Sequence, residues 1–279
     1  MFKKFCMMTL KFFLLIGMLS LTSCNGEEIP ASIDEVTSDS EPLPILDGTV
    51  FEMLRDNPIN FVQLSPPAIG EELVIMHTNM GDITLRFFPE EAPRAVENFL
   101  THARNGYYDG VIFHRVIPNF MIQGGDPDGT GRGGESIWGE PFGFEPGFNV
   151  RHFRGALAMA HAGGAMNSQF YIVQAPAIDA GFRREFTARM AELDSPVGEF
   201  SDGTRVYLRD FHSAEELEYF IENGGTPHLD MLFSQQPHTV FGHVFEGMDV
   251  VDAIAAVSRS GDRPNEDVII ESFSFITHR

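Results

Sequence analysis

The sequence predicts a mainly-β fold, an antiparallel barrel or sandwich rather than a series of alternating β-α-β units. Short apolar runs punctuated by glycine and turn residues fill most of 72–173 and 239–277, and only two helical patterns stand among them, far apart. A hydrophobic fraction of 43% in 279 residues is enough for a sizeable core.

Regular structure begins near Leu73, where "LVIMHT", the turn residues Asn79-Met80-Gly81-Asp82 and "ITLRFF" predict two strands joined by a turn. Pro93 suits the first turn of a helix with Val96, Phe99, Leu100 and Ala103 on one face, and Gly106 is its stop. Glycine-rich β segments follow to Val173. "TVFGHVFEG" predicts a strand, then a second helix carries Val250, Val251, Ile254 and Val257 on one face. "VIIESFSFI" closes the chain as a strand. Residues 175–228 differ in texture and read as a charged, helical insertion between two strands. Within it "SAEELEYFIENGG" has a capping-box pattern (Ser213, Glu216) and a glycine stop at Gly224.

The N-terminus reads as a signal. Lys3 and Lys4 precede the apolar run Phe12–Leu21, too short to span a bilayer comfortably. That run ends in Leu21-Thr22-Ser23-Cys24, which resembles the lipobox of bacterial lipoproteins and implies a lipid on Cys24. The expected organisation is a signal over 1–23, an acidic tether of Glu, Asp, Ser and Pro over 24–47, an N-terminal extension over 48–71 and a folded domain over 72–279. The expected location is outside the cytoplasm, held to the cell membrane by lipid.

The net charge of −21 argues against nucleic acid, which needs a basic face. All three lysines (Lys3, Lys4, Lys11) precede Cys24, so cleavage there changes −21 to −24 and leaves no lysine for Schiff-base or phosphate-loop chemistry. Cys6 lies in the signal and Cys24 at the anchor, leaving the domain without disulfide, thiol nucleophile or Cys-ligated metal.

The segment "FHRVIPNFMIQGGD", residues 113–126, sets Arg115 among Val, Ile, Phe and Met. An always-charged guanidinium there is either a snorkelling surface group or a functional cation at the mouth of a pocket. Residues 129–134 satisfy G-x-G-x-x-G, but neither a strand before nor a helix after supports a dinucleotide site. The ten histidines include no H-E-x-x-H and no Cys partner, so no metal site is expected.

With "NMGDITLRFFPEEAPRAVENFL", "ALAMAHAGGAMNSQFYIV" and "HTVFGHVFEGMDVVDAI" in order around that segment, the chain resembles the cyclophilin-type peptidyl-prolyl cis–trans isomerases over about 72–279, apart from the insertion. The resemblance implies an eight-stranded antiparallel barrel capped by two helices, proline-containing polypeptides as partners, no cofactor and a monomer. It assigns catalysis to Arg115, Phe120 and Gln123. It assigns peptide and proline contacts to Met121, Ala160, His161, Gln169, Tyr171, Leu229 and His238. Four departures from the family pattern stand out: His161 for the common Asn, Tyr171 for Phe, His228 for a tryptophan that supports cyclosporin binding, and a shorter loop over 162–168. The Tyr171 hydroxyl is expected to narrow the pocket or to bond Gln123, and His114 is read as structural. A proline-peptide-binding module with little turnover is the alternative reading.

Overall fold

The computed structural model describes residues 61–177, 196–199, 205–207, 214–230 and 238–279. The signal, Cys24 and the tether lie outside the described residues.

Eight strands form one antiparallel sheet in the order β12-β1-β2-β9-β5-β6-β4-β3. These are β1 (Glu72–Thr78), β2 (Gly81–Phe87), β3 (Arg115–Ile117), β4 (Met121–Gly124), β5 (Ala156–Ala162), β6 (Ala165–Val173), β9 (Val240–Glu246) and β12 (Ile270–Thr277). The sheet curls until its ends meet: Phe113 N donates to Val268 O, Ile270 N to Val111 O and Gly110 N to Ile270 O. Edges joined in this way leave little unpaired backbone to template aggregation.

Helix α1 (Pro93–Arg104) has Pro93 in its first turn, as expected, and buries Val96, Phe99 and Ala103. Helix α3 (Met248–Ala255) buries Val251, Ile254 and Ala255. Phe99 is fully buried amid Phe87, Tyr108, Phe170, Phe241 and Phe273, with ring centroids 5.1–5.8 Å away. Small strands β10 (Arg259–Ser260) and β11 (Arg263–Pro264) pair with each other.

The insertion is not purely helical. Besides helix α2 (Ala214–Asn223) it contains an antiparallel pair, β7 (Pro196–Glu199) and β8 (Arg205–Tyr207). Its C-terminal part rests on consecutive residues of the barrel. Arg151 Nε donates to Glu216 at 2.8 Å, the Phe153 ring packs on Tyr219 and Phe220, and Arg154 N donates to Gly224 O. The Glu216 carboxylate, fully buried, pairs with Arg151; the expected capping box falls on Ser213, which lies outside the described residues. From the N-terminal side, the Gln63 amide both accepts from Arg151 N and donates to Arg151 O.

Strand alternation divides the sheet between two interiors. Val116, Ile122, Leu157, Met159, Phe170 and Ile172 join the main core. Their neighbours Met121, Ala156, Ala158, Tyr171 and Val173 build a second cluster with Val240, flanked by Ile117, Phe120, Ala160 and Leu229. Gly125 lets β4 leave this arrangement against β6. Its φ is +87°, and an added Cβ would stand 2.5 Å from Ser168 O. Left-handed backbone strain and that contact together predict that Gly125→Ala lowers unfolding free energy by about 2 kcal/mol or more, measured by urea titration.

Candidate active site

Antiparallel register sets Arg115 opposite Gln123, Gln123 opposite Tyr171 and Tyr171 opposite Ala158. Paired residues share a sheet face, so these four form one row across β3, β4, β6 and β5. Gln169, two residues before Tyr171, is on the same face.

A hydrogen-bonded run crosses that row. Arg115 Nη1 donates to Gln123 Oε1 at 3.2 Å, Gln123 Nε2 to Gln169 Oε1 at 2.9 Å, and Gln169 Nε2 to Gly133 O at 2.8 Å. Arg115 Nε also donates to the Asp262 carboxylate at 3.2 Å. The Arg115 side chain is 43% exposed, which makes it a groove-edge cation rather than a buried one. A guanidinium carries five N–H donors, more than these two contacts use.

Beside the run lies the apolar wall. Met121 and Tyr171 are buried, Phe120 and Leu229 partly so, and the Phe120 ring stacks on His228 with centroids 5.7 Å apart. At position 228, where the family resemblance leads one to expect a tryptophan, His228 carries a flat ring over Phe120. His238 and His161 stack with centroids 4.0 Å apart. His238 Nδ1 donates to Met159 O at 3.0 Å, while His161 Nδ1 accepts Gly164 N at 3.1 Å and so holds the Gly163–Gly164 turn; the rest of the expected 162–168 loop belongs to strands β5 and β6. Ala160 lies at the cluster's edge.

The Tyr171 hydroxyl does not bond Gln123. It lies 2.9 Å from His152 Nε2, and the Gln123 amide is taken up by Arg115 and Gln169. His152 in turn meets Asp230 Oδ1 with Nδ1 at 2.6 Å and with its backbone N at 3.0 Å. Sequence reasoning missed His152, Asp230 and Asp262. The Tyr-for-Phe exchange at 171 was the one available signal, since a buried hydroxyl needs a partner.

The 129–134 glycine run is a loop, and Asp126 organises it. Its carboxylate accepts the backbone N–H groups of Asp128, Thr130, Gly131 and Gly133. Burial opposes the charge, but these donors outweigh it and hold the Asp126 carboxyl below the usual range. Both ring nitrogens of His114 are buried without a hydrogen-bond partner beneath this loop, and its imidazole faces Gly131. Among the described residues no group of three or more His, Cys, Asp or Glu side chains is placed to hold a metal.

Burial, and secondarily His161, pushes His238 down from about 6.5 to about 3; burial, and secondarily Arg86, pushes His243 down to about 4. Both are neutral in the folded protein at neutral pH. The unfolded chain takes up their protons near 6.5, so below that pH the unfolded state binds more protons and stability falls as pH falls, towards pH 4 and then 3. The urea midpoint is expected to drop between pH 7 and pH 5, and His243→Gln is expected to flatten part of that slope.

The comparisons with known proteins agree with this architecture. The family model described as cyclophilin type peptidyl-prolyl cis-trans isomerase/CLD matches residues 73–196 and 198–275. A Staphylococcus saprophyticus protein bearing a peptidyl-prolyl cis–trans isomerase name is 43% identical over 221 residues, covering 78% of this chain and 98% of its own. A Staphylococcus haemolyticus protein of the same name is 44% identical over 217 residues, 76% of this chain and 96% of its own. Among solved structures, a Cryptosporidium parvum cyclophilin type peptidyl-prolyl cis–trans isomerase, crystallised in the presence of the dipeptide Ala-Pro, aligns with a TM-score of 0.51 at 26% identity. That alignment covers 74% of this chain and 99% of the other. Fold, motif and relatives converge: the chain belongs to the cyclophilin-type peptidyl-prolyl cis–trans isomerase family.

Proposed function

We propose that this protein accelerates rotation about X–Pro bonds in exported polypeptides, from outside the cytoplasm and anchored by a lipid on Cys24. The observation that carries the catalytic part is the run Arg115–Gln123–Gln169 beside the wall of Phe120, Met121, Tyr171 and Leu229.

Amide resonance gives the X–Pro bond a barrier of about 18–20 kcal/mol, and unaided rotation takes tens to hundreds of seconds. No bond need break, so neither nucleophile nor metal is required. A cation that draws the lone pair onto the prolyl nitrogen weakens the double-bond character, and Arg115 is the cation at this groove. Phe120, Met121 and Leu229 grip the ring, while Gln123, Gln169, Ala160 and His161 take the peptide backbone on either side. Gripping one half while the other turns favours the twisted amide over both planar forms, which is differential binding of the transition state. His238 closes the far wall as a neutral ring.

The exported location rests on the signal and the lipobox-like Leu21–Cys24. Two measurements test the proposal. Exchange NMR on an Ala-Pro peptide should show cis–trans interconversion well above the uncatalysed rate, and an unchanged rate overturns the activity. A mass spectrum of membrane-extracted protein should begin at a lipid-modified Cys24, and a chain beginning at Met1 without lipid overturns the anchor. The Asp262 carboxylate on Arg115 partly offsets the cation, which favours the alternative of a proline-peptide-binding module. Affinity without acceleration selects that alternative.

A further inference from the structure

We propose that Asp230, acting through His152, is a positioning residue for the proline pocket: it fastens the exit of the insertion to the barrel so that Leu229 and His228 stand over Phe120 and the Tyr171 hydroxyl is kept out of the groove. The inference rests on the isomerase reading above.

Leu229 and His228 belong to a single 3₁₀ turn, Pro227–Leu229, between helix α2 and β9. No strand of the barrel contains them, so their place is set by what holds this turn. Asp230 follows it directly, and one carboxylate oxygen takes both the backbone N–H and the ring Nδ1–H of His152. Thr226 N donates to His152 O from the other end, and Phe153 bridges to Gly225. The turn is therefore clamped on both sides to residues 152 and 153, immediately before β5.

The same clamp reaches the pocket wall. With Nδ1–H given to Asp230, the ring turns Nε2 to the Tyr171 hydroxyl. Burial, and secondarily the charge of Asp230, raises the Tyr171 pKa well above its ordinary value, so the hydroxyl keeps its proton. A run Tyr171 Oη to His152 Nε2, then His152 Nδ1–H to Asp230 Oδ1, ties a strand residue of the pocket to the turn bearing the opposite wall. It explains how the pocket accepts tyrosine at 171: the hydroxyl is satisfied behind the wall, and the ring alone faces the groove. It also gives the insertion a role in the site, since its last turn is part of the pocket.

The test separates KM from kcat for an Ala-Pro peptide on the full chain. Asp230→Ala is expected to raise KM at least tenfold with kcat within threefold, because the reacting cation on β3 is untouched. Asp230→Asn, which keeps an oxygen for both His152 donors, is expected to restore KM to within threefold of the wild type. Should Asp230→Ala not fold, Asp230→Ser serves instead: it can still cap the backbone N–H but is too short for the ring, and the same tenfold rise is expected. A KM within twofold of the wild type in the Ala or Ser variant overturns the proposal, as does an Asn variant as weak as the Ala variant. If the wild type binds the peptide without accelerating exchange, the isomerase reading fails instead, and Asp230 is then judged by peptide affinity with the same thresholds.

Discussion

Arg115→Ala is expected to lower kcat/KM for an Ala-Pro peptide by about 10²–10³-fold, the scale found when one preorganised donor is removed from a site of developing charge. At about 1.4 kcal/mol per factor of ten, that corresponds to about 3–4 kcal/mol of transition-state stabilisation. KM is expected to change little, because Phe120, Met121 and Leu229 still hold the ring, and the loss should fall on kcat. Arg115→Lys is expected to recover at most a tenth of the lost rate. The planar fork that bonds Asp262 through Nε and Gln123 through Nη1 at once is replaced by a single point charge. Asp262 therefore both orients the guanidinium and tempers its charge. Exchange NMR reads all three proteins, and an Arg115→Ala rate within threefold of the wild type removes Arg115 from the mechanism.

Arg115, Phe120, Met121 and Gln123 stand out in the sequence because they share one continuous segment. Alternation along β3 and β4 then brings residues read in a line onto one face. The barrel was legible for a related reason, since its short apolar runs between turn residues and the apolar stripes of its two barrel helices are local features of the chain. What escaped is long-range and polar. His152 and Asp230 lie 78 positions apart, and Arg151 and Glu216 lie 65 apart. A lone charge in a sequence gives no sign of which distant charge it will meet. Glu216 shows how little local spacing says about a distant partner. Three residues after Ser213 it has the spacing of a capping box, and nothing in that spacing announces its ion pair with Arg151 inside the protein. The partner of the Tyr171 hydroxyl escaped as well, because the register fixes which face a ring occupies and not where its hydroxyl goes.

Glu216→Ala is the substitution expected to cost most in stability. Glu216 is fully buried and the Arg151 side chain is only 8% exposed, so removing the carboxylate strands a guanidinium that cannot lose its proton. Breaking a buried pair from one side typically costs about 3–5 kcal/mol, a large share of a domain's stability. Two carbonyls, Phe148 O and Val150 O, still accept from Arg151 Nη1, and the Phe61 ring covers the guanidinium at 5.3 Å, which places the expected loss near the lower end, about 3 kcal/mol. Replacing both partners with apolar residues of similar size, as in Arg151→Met with Glu216→Leu, is expected to recover most of it, because neither charge then needs a partner. The pair joins α2 to the barrel, so where the loss appears is informative. If the insertion and the barrel unfold as one unit, the urea midpoint of the whole domain shifts. If the insertion opens by itself, amide exchange in α2 accelerates while the barrel strands keep their protection. In the second case the Pro227–Leu229 turn loosens with α2, and KM for the Ala-Pro peptide rises with no change in the midpoint of the barrel. A Glu216→Ala chain that keeps its midpoint, its α2 protection and its KM would mean that Arg151 finds a new partner inside the protein. The fastening of the insertion would then rest on Asp230, the ring packing of Phe153 and the backbone bonds of Gly224 and Thr226 to residues 152–154.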